Sequence, residues 1–205
     1  MTRQPRLVSG FILAGGASSR MAQDKALLQI TGTELVVRAA KLLDPLVADL
    51  TVIAPAGRYD TLGLSVVPDD KAGLGPLGGI ATALRKSSQP WALVVGCDLP
   101  FLTAAWLSYL ISRTTASDAD VVLPESARGL EPLCAVYHTR AWPAIRDALG
   151  RGVRKVTDGL AGLQVEIIPA RETKRFDSDG WLFKNVNTPG EYEDARRQLE
   201  RGGAE

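Results

Sequence analysis

The sequence predicts an α/β fold: a single-domain, doubly wound, mostly parallel sheet with helices on both faces. Three observations carry this. Apolar, strand-like runs alternate with segments of helical period along the chain. The first such run, Leu7 to Ala14, leads straight into Gly15, Gly16, Ala17, Ser18 and Ser19, a glycine-opened turn. The clearest run, Trp91 to Cys97, is closed by an acidic residue, Asp98.

Between these landmarks the elements follow in order. Leu35, Ala39, Leu42 and Leu43 share one face of a helix expected over Glu34 to Leu43, and Leu50 to Ala54 returns as a strand. Val66 and Val67 form a short third strand. Leu77, Ile80, Ala81 and Leu84 follow i, i+3, i+4, i+7 spacing and predict a helix to about Ser87. Trp106, Leu107, Leu110 and Ile111 give a further helix that Thr103 is placed to cap, and Val121 to Leu123 and Leu133 to Tyr137 read as later strands. Thr188, Pro189 and Glu191 combine a capping box with proline at the first helical position, which starts the last helix. Short tails are expected over about 1–6 and 201–205, and no repeat or linker interrupts the chain.

A chain of 205 residues with 45% hydrophobic and 23% charged residues is long enough for one core, which buries roughly 70% of the extended surface. Lys and Arg (24) nearly balance Asp and Glu (23), so no global field draws the protein to nucleic acid or an anionic membrane, and a bound anion has to be held locally. Neither a signal segment nor a membrane span is legible. The two cysteines, Cys97 and Cys134, lie in apolar stretches without zinc-ligand spacing, which reads as buried thiols and a cytoplasmic setting.

Four motifs can carry chemistry. Leu13-Ala14-Gly15-Gly16 ends a buried strand in two glycines, whose N–H groups are free of a β-carbon and suit phosphate oxygens; Arg20 and Lys25, the latter following Asp24, bring two cations to the same loop. It is not a Walker loop, because no Gly-Lys-Ser/Thr closes the turn. Asp98 stands at a strand's carboxyl end, where ligands of open α/β sheets sit, and Mg²⁺ favours one or two carboxylates together with substrate phosphates. Pro68-Asp69-Asp70 precedes Gly73, Gly75 and Gly78, whose G-x-G-x-x-G spacing imitates a dinucleotide fingerprint. In a true fingerprint the glycines follow the strand directly, whereas here Pro68 to Ala72 intervene and Pro76 occupies the turn. Asn185-Val186-Asn187 sets two amides beside the last helix, with Asn187 the better placed to face a ligand. His138, the single histidine, has no nucleophile to activate and reads as structural.

Taken in order from about Leu13 to about Leu199, Leu13-Ala14-Gly15-Gly16 with Arg20-Met21 and Asp24-Lys25, Gly75-Pro76-Leu77-Gly78-Gly79, Cys97-Asp98-Leu99-Pro100 and Asn185-Val186-Asn187-Thr188-Pro189 resemble the molybdenum cofactor guanylyltransferases. The resemblance implies a nucleotide-diphospho-sugar-transferase-like fold and transfer of GMP from GTP to molybdopterin carrying molybdenum. It implies that Leu13, Ala14 and Gly15 cradle GTP, that Lys25 meets its phosphates, that Asp69 lies against the nucleotide, and that Asp98 holds both nucleotide and Mg²⁺. Gly15-Gly16 and Gly78-Gly79 would leave room for a bicyclic purine, Arg20 would join Lys25 on the departing pyrophosphate, and Asn185, Asn187 and Glu131-Pro132-Leu133 would border the pterin substrate. A position that can be asparagine in the family is Ala54 here. The sister cytidylyltransferases resemble the chain in Arg20-Met21 and Asp24-Lys25 but lack the Gly-Pro-Leu-x-Gly segment, and a non-catalytic GTP-binding regulator would keep the loop without a metal carboxylate. The implied partners are GTP and the pterin, with transient contact to proteins that deliver or accept the cofactor.

Overall fold

The computed structural model describes residues 7–15 and 24–202. Its strands are β1 (Val8–Leu13), a small β2–β3 hairpin (Gln29–Ile30 and Thr33–Glu34), β4 (Leu50–Ile53), β5 (Val66–Val67), β6 (Trp91–Gly96), β7 (Val121–Ser126), β8 (Gly129–Leu130), β9 (Cys134–His138) and β10 (Val165–Ile168). The helices are α1 (Leu35–Leu43), α2 (Gly75–Lys86), α3 (Ala104–Arg113), α4 (Trp142–Gly150), the single turns α5 (Val156–Gly159) and α6 (Ala170–Thr173), and α7 (Pro189–Gly202).

The main sheet runs β10-β7-β9-β6-β1-β4-β5, with β8 appended to β7. The β1–β4, β1–β6, β4–β5 and β7–β10 pairs are parallel. Along this path β9 runs against its neighbours, pairing antiparallel with both β6 and β7, and the appended β8 is also antiparallel to β7. The reason is local. No helix separates β7 from β9, so the chain can only double back.

Alternation along the central strands covers both faces, as a parallel sheet requires. Val8 and Ile12 of β1 and Leu93 and Val95 of β6 join one core cluster with Val36 and Leu43 of α1 and Trp106, Leu107 and Leu110 of α3. Phe11 and the neighbouring Ala92 and Val94 point the other way, to Leu77, Ile80 and Leu84 of α2 and Ile145 of α4. Thr103 caps α3, accepting from the Trp106 N–H at 3.2 Å, as its position suggested. The capping box of α7 forms as well: the Glu191 N–H donates to Thr188 Oγ1 at 3.2 Å and the Thr188 N–H to Glu191 Oε2 at 3.0 Å. α7 continues through 201 and 202.

β1 thus lies between β4, which follows it, and β6, which returns from beyond β5. A crevice opens at the carboxyl ends of such neighbours. His138 sits at the opposite edge, its ring 4.9 Å from that of Trp91 and its Nδ1 accepting from the Arg140 N–H, which agrees with a structural role.

Candidate active site

At the carboxyl edge between β1 and β6 lies a cleft of about 470 Å³. Leu13, Ala14 and Gly15 form one wall; Gly96, Cys97 and Asp98, at the end of β6, form the floor. Asp24 and Lys25 enter from the short 3₁₀ turn Lys25–Leu27, and Asp69, Gly73, Gly75, Pro76 and Gly79 close the far side. The two central strands hold their ends in register, since the Cys97 N–H donates to the Leu13 carbonyl at 3.1 Å.

Asp98 is half-buried, and its geometry depends on a glycine two residues before it. A β-carbon on Gly96 would stand 2.6 Å from Asp98 Oδ1, so a side chain there would displace the carboxylate. The Asp98 carbonyl accepts from the Val186 N–H at 2.9 Å, docking the 185–187 segment against the floor. From that segment Asn187 Oδ1 accepts from Lys25 Nζ, fixing the ammonium beside the cleft. Burial pushes the Asp98 carboxyl above the ordinary carboxylate range; Lys25 pulls it back and Glu191 adds to the rise.

Asp69, just beyond β5, stands opposite. Its Oδ2 is 3.5 Å from where a β-carbon on Gly15 would be, and its buried Oδ1 has no hydrogen-bond partner among the described residues. Burial, and then the charge of Asp70, raise its carboxyl above the usual range. Asp70 itself is taken up by a bidentate pair with Arg85 and is held below the usual range chiefly by that hydrogen bond. An unsatisfied acceptor on a cleft wall is costly unless a ligand donor completes it. On the same side α2 begins at Gly75 with Pro76 in its first turn, and Leu74 at its N-cap supplies no side-chain hydrogen bond. Through Gly75 and Pro76 the N-terminal end of α2 lines the cleft.

Leu13, Ala14, Gly15, Lys25, Asp69 and Asp98 are thus gathered at one cleft, and Asn187 is joined to it through Lys25. Gly16 and Arg20 lie outside the described residues. Gly78 does not line the cleft: it is buried in α2, where a β-carbon would come 2.6 Å from Leu74 Cβ, so its role is to let the helix pack on the preceding loop. Gly79 takes the cleft position instead, with Leu13 Cδ2 3.0 Å from where its β-carbon would be. Asn185 is half-buried and is not among the lining residues. Of Glu131-Pro132-Leu133 only Leu133 reaches the cleft, because Glu131 accepts from Ser126 Oγ at 2.6 Å inside its own hairpin.

Two residues went unassigned at the sequence level. Asp24 caps its own 3₁₀ turn, accepting from the Ala26 N–H at 3.1 Å, and pairs with Arg58 at 3.4 Å. Tyr59, fully buried, reaches both Asp24 and the Ala14 carbonyl. An N-cap aspartate before an apolar turn was a readable signal for Asp24; nothing in the spacing pointed to Tyr59.

Among the described residues no group of three or more His, Cys, Asp or Glu side chains forms a metal cage. Mg²⁺ does not need one, because it keeps several waters and is bound through one or two carboxylates plus phosphates. Asp98, a hard oxygen donor whose buried negative charge is only partly offset by Lys25, fits that kind of ion.

Residues 10–165 match the family model described as a MobA-like NTP transferase domain. A probable molybdenum cofactor guanylyltransferase of Pelotomaculum thermopropionicum is 36% identical over 94% of this chain and 93% of its own. Its counterpart from Deinococcus radiodurans is 36% identical over 88% of this chain and 89% of its own. The crystal structure of molybdopterin-guanine dinucleotide biosynthesis protein A from Archaeoglobus fulgidus superposes with a TM-score of 0.83 at 24% identity, covering 94% of this chain and 99% of that one, a likeness of fold.

Proposed function

The chain belongs to the MobA-like NTP transferase family, and from that membership we propose that it transfers GMP from GTP to the phosphate of molybdenum-loaded molybdopterin, releasing pyrophosphate. The observation that carries this reading is the convergence of Asp98 and Lys25 on one cleft floor, linked through the 185–187 segment. The cleft is walled by the glycine-ended β1 and by the unsatisfied Asp69.

In the reaction an oxygen of the acceptor phosphate bonds to the α-phosphorus of GTP while the bond to the bridging oxygen breaks, and that oxygen leaves with the electron pair on pyrophosphate. Both reactants are anions, so their repulsion is the first obstacle. Lys25 offsets it on the triphosphate and stabilises the charge gathering on the leaving group. Asn187, by accepting from the Lys25 ammonium, sets its direction before substrate arrives. Asp98 would hold Mg²⁺, which when bound with the triphosphate supplies charge neutralisation at the α-phosphate. Asp69 accepts from the nucleoside, whose donors would complete its orphaned oxygen. Arg20 is retained as a second cation on the pyrophosphate side. No protein nucleophile is called for, because a phosphate monoester is already ionised near neutral pH and catalysis is mainly positioning and electrostatics.

The test is pyrophosphate release on incubation with GTP, Mg²⁺ and the molybdenum-loaded pterin. The proposal expects one pyrophosphate per guanine dinucleotide formed, and neither product when Mg²⁺ or the pterin is left out. GTP that is bound but returned unchanged would favour the regulator reading.

A further inference from the structure

We propose that Tyr59 is a positioning residue whose hydroxyl braces the two walls of the nucleotide cleft against each other, an inference that rests on the GTP reading above. The Tyr59 side chain comes from the connection after β4 and is fully buried, in the same core cluster as Ala14, Ala26 and Cys97. Its oxygen lies 3.1 Å from the Ala14 carbonyl, 3.0 Å from Asp24 Oδ2 and 3.2 Å from Asp24 Oδ1. Ala14 belongs to the wall at the end of β1, whereas Asp24 caps the turn that begins with Lys25. One phenol thus touches both the loop expected around the nucleoside and the residue immediately before the phosphate-binding cation.

The chemistry suits a brace. A phenol has one proton, and both neighbours here are acceptors only, so Tyr59 can satisfy them only as a donor shared between the carbonyl and the carboxylate. Burial, followed by the Asp24 charge, pushes its ionisation far upward, and the hydroxyl keeps its proton throughout the working range. Asp24 in turn receives the Ala26 N–H and the Arg58 guanidinium, so its carboxylate is fixed from three directions. Lys25 is the next residue and is held at its far end by Asn187. Loss of the hydroxyl releases the Ala14 carbonyl and one side of Asp24 while leaving the ring's packing in place.

The experiment compares Tyr59→Phe with Tyr109→Phe. Tyr109 also donates its hydroxyl to a carboxylate, Glu172 Oε2 at 2.5 Å, and is not among the cleft residues, so it matches the chemistry of the loss without touching the site. Tyr59→Phe is expected to weaken GTP binding in calorimetry and to raise KM for GTP about tenfold, with KM for the pterin unchanged. The loss is expected to persist at a temperature where circular dichroism shows the variant fully folded, whereas Tyr109→Phe is expected to keep wild-type kinetics. Asp24→Ala and the double variant supply a check that does not depend on Tyr59→Phe alone: the double variant is expected to lose no more GTP affinity than Asp24→Ala. GTP binding and turnover within twofold of wild type for Tyr59→Phe, or losses that add in the double variant, would overturn the brace and leave the nucleotide reading standing. Wild-type protein that binds no GTP would overturn both.

Discussion

At the scale of the residue, the cleft is built from groups that are uncomfortable without a ligand. Asp98 and Asp69 both carry carboxyls raised by burial, and one oxygen of Asp69 has no partner among the described residues. A carboxyl raised in the folded state contributes stability that is fully present below the ordinary carboxylate range and is lost as pH climbs through the raised value. The ligand-free protein is therefore destabilised by these groups near neutrality, where Mg²⁺ and nucleotide would relieve them. Asp98→Asn is expected to melt higher than wild type at pH 7.5, by about 2–4 °C for each kcal/mol relieved, with the gap closing toward pH 4. The same variant is expected to lose transfer by about 10²-fold or more. Thermal unfolding at the two pH values, read beside the transfer assay, checks both halves; a variant that melts lower and transfers normally would remove Asp98 from the site. Much of this was legible in the sequence. Asp98 at a strand end and Gly15 after one are positions whose role follows from where strands stop. Tyr59 was not, because a buried phenol that meets its partners 45 and 35 residues away leaves no local pattern.

At the scale of the element, α2 decides the shape of the nucleoside wall. It passes so close to the end of β1 that Gly79 faces the methyl groups of Leu13, with room for no β-carbon unless Leu13 moves. Gly79→Val is expected to cost roughly tenfold or more in GTP affinity, because either the new side chain or the displaced Leu13 enters the cleft. Far-ultraviolet circular dichroism that stays native alongside a weakened titration would bear this out, and unchanged affinity would contradict it. The strands and helices that frame the site were readable because they are long and periodic: β1, α1 and β6 occur within two residues of their expected bounds, α2 ends at Lys86 beside the expected Ser87, and α3 contains the four apolar residues that announced it. β10 was not read. It is four residues long, contains Glu166 and leaves Ile167 half exposed as the edge strand of the sheet, so it carries no alternation to detect. The direction of β9 was equally hidden, since it follows from the missing helix after β7 rather than from its own residues. α4 offered more, with Pro143 in its first turn and Ile145, Ala148 and Leu149 on its inner side.

At the scale of the whole molecule, the described residues form a mixed sheet, parallel apart from β8 and β9, covered on two faces, with the cleft at one carboxyl edge. The near-neutral net charge of +1 means that nothing global steers a trianionic or tetraanionic nucleotide to that edge. Binding and selectivity have to come from the cleft itself. No helix among the described residues is long and apolar enough to cross a membrane. The fold is shared by nucleotidyltransferases of differing base preference, among them a CTP-complexed synthetase of similar architecture at 12% identity, so architecture does not choose the base. On the proposed reading the choice falls to the wall lined by Gly15, Gly75 and Gly79 and to the acceptor on Asp69. A site matched to guanine leaves its polar groups unpaired with cytosine, and discrimination of roughly 10²-fold follows from that loss. The measurement that bears most directly on the account is kcat/KM for GTP and for CTP with the same molybdenum-loaded pterin in Mg²⁺. The account predicts a preference for GTP of about 10²-fold or more; equal values, or a preference for CTP, would contradict it.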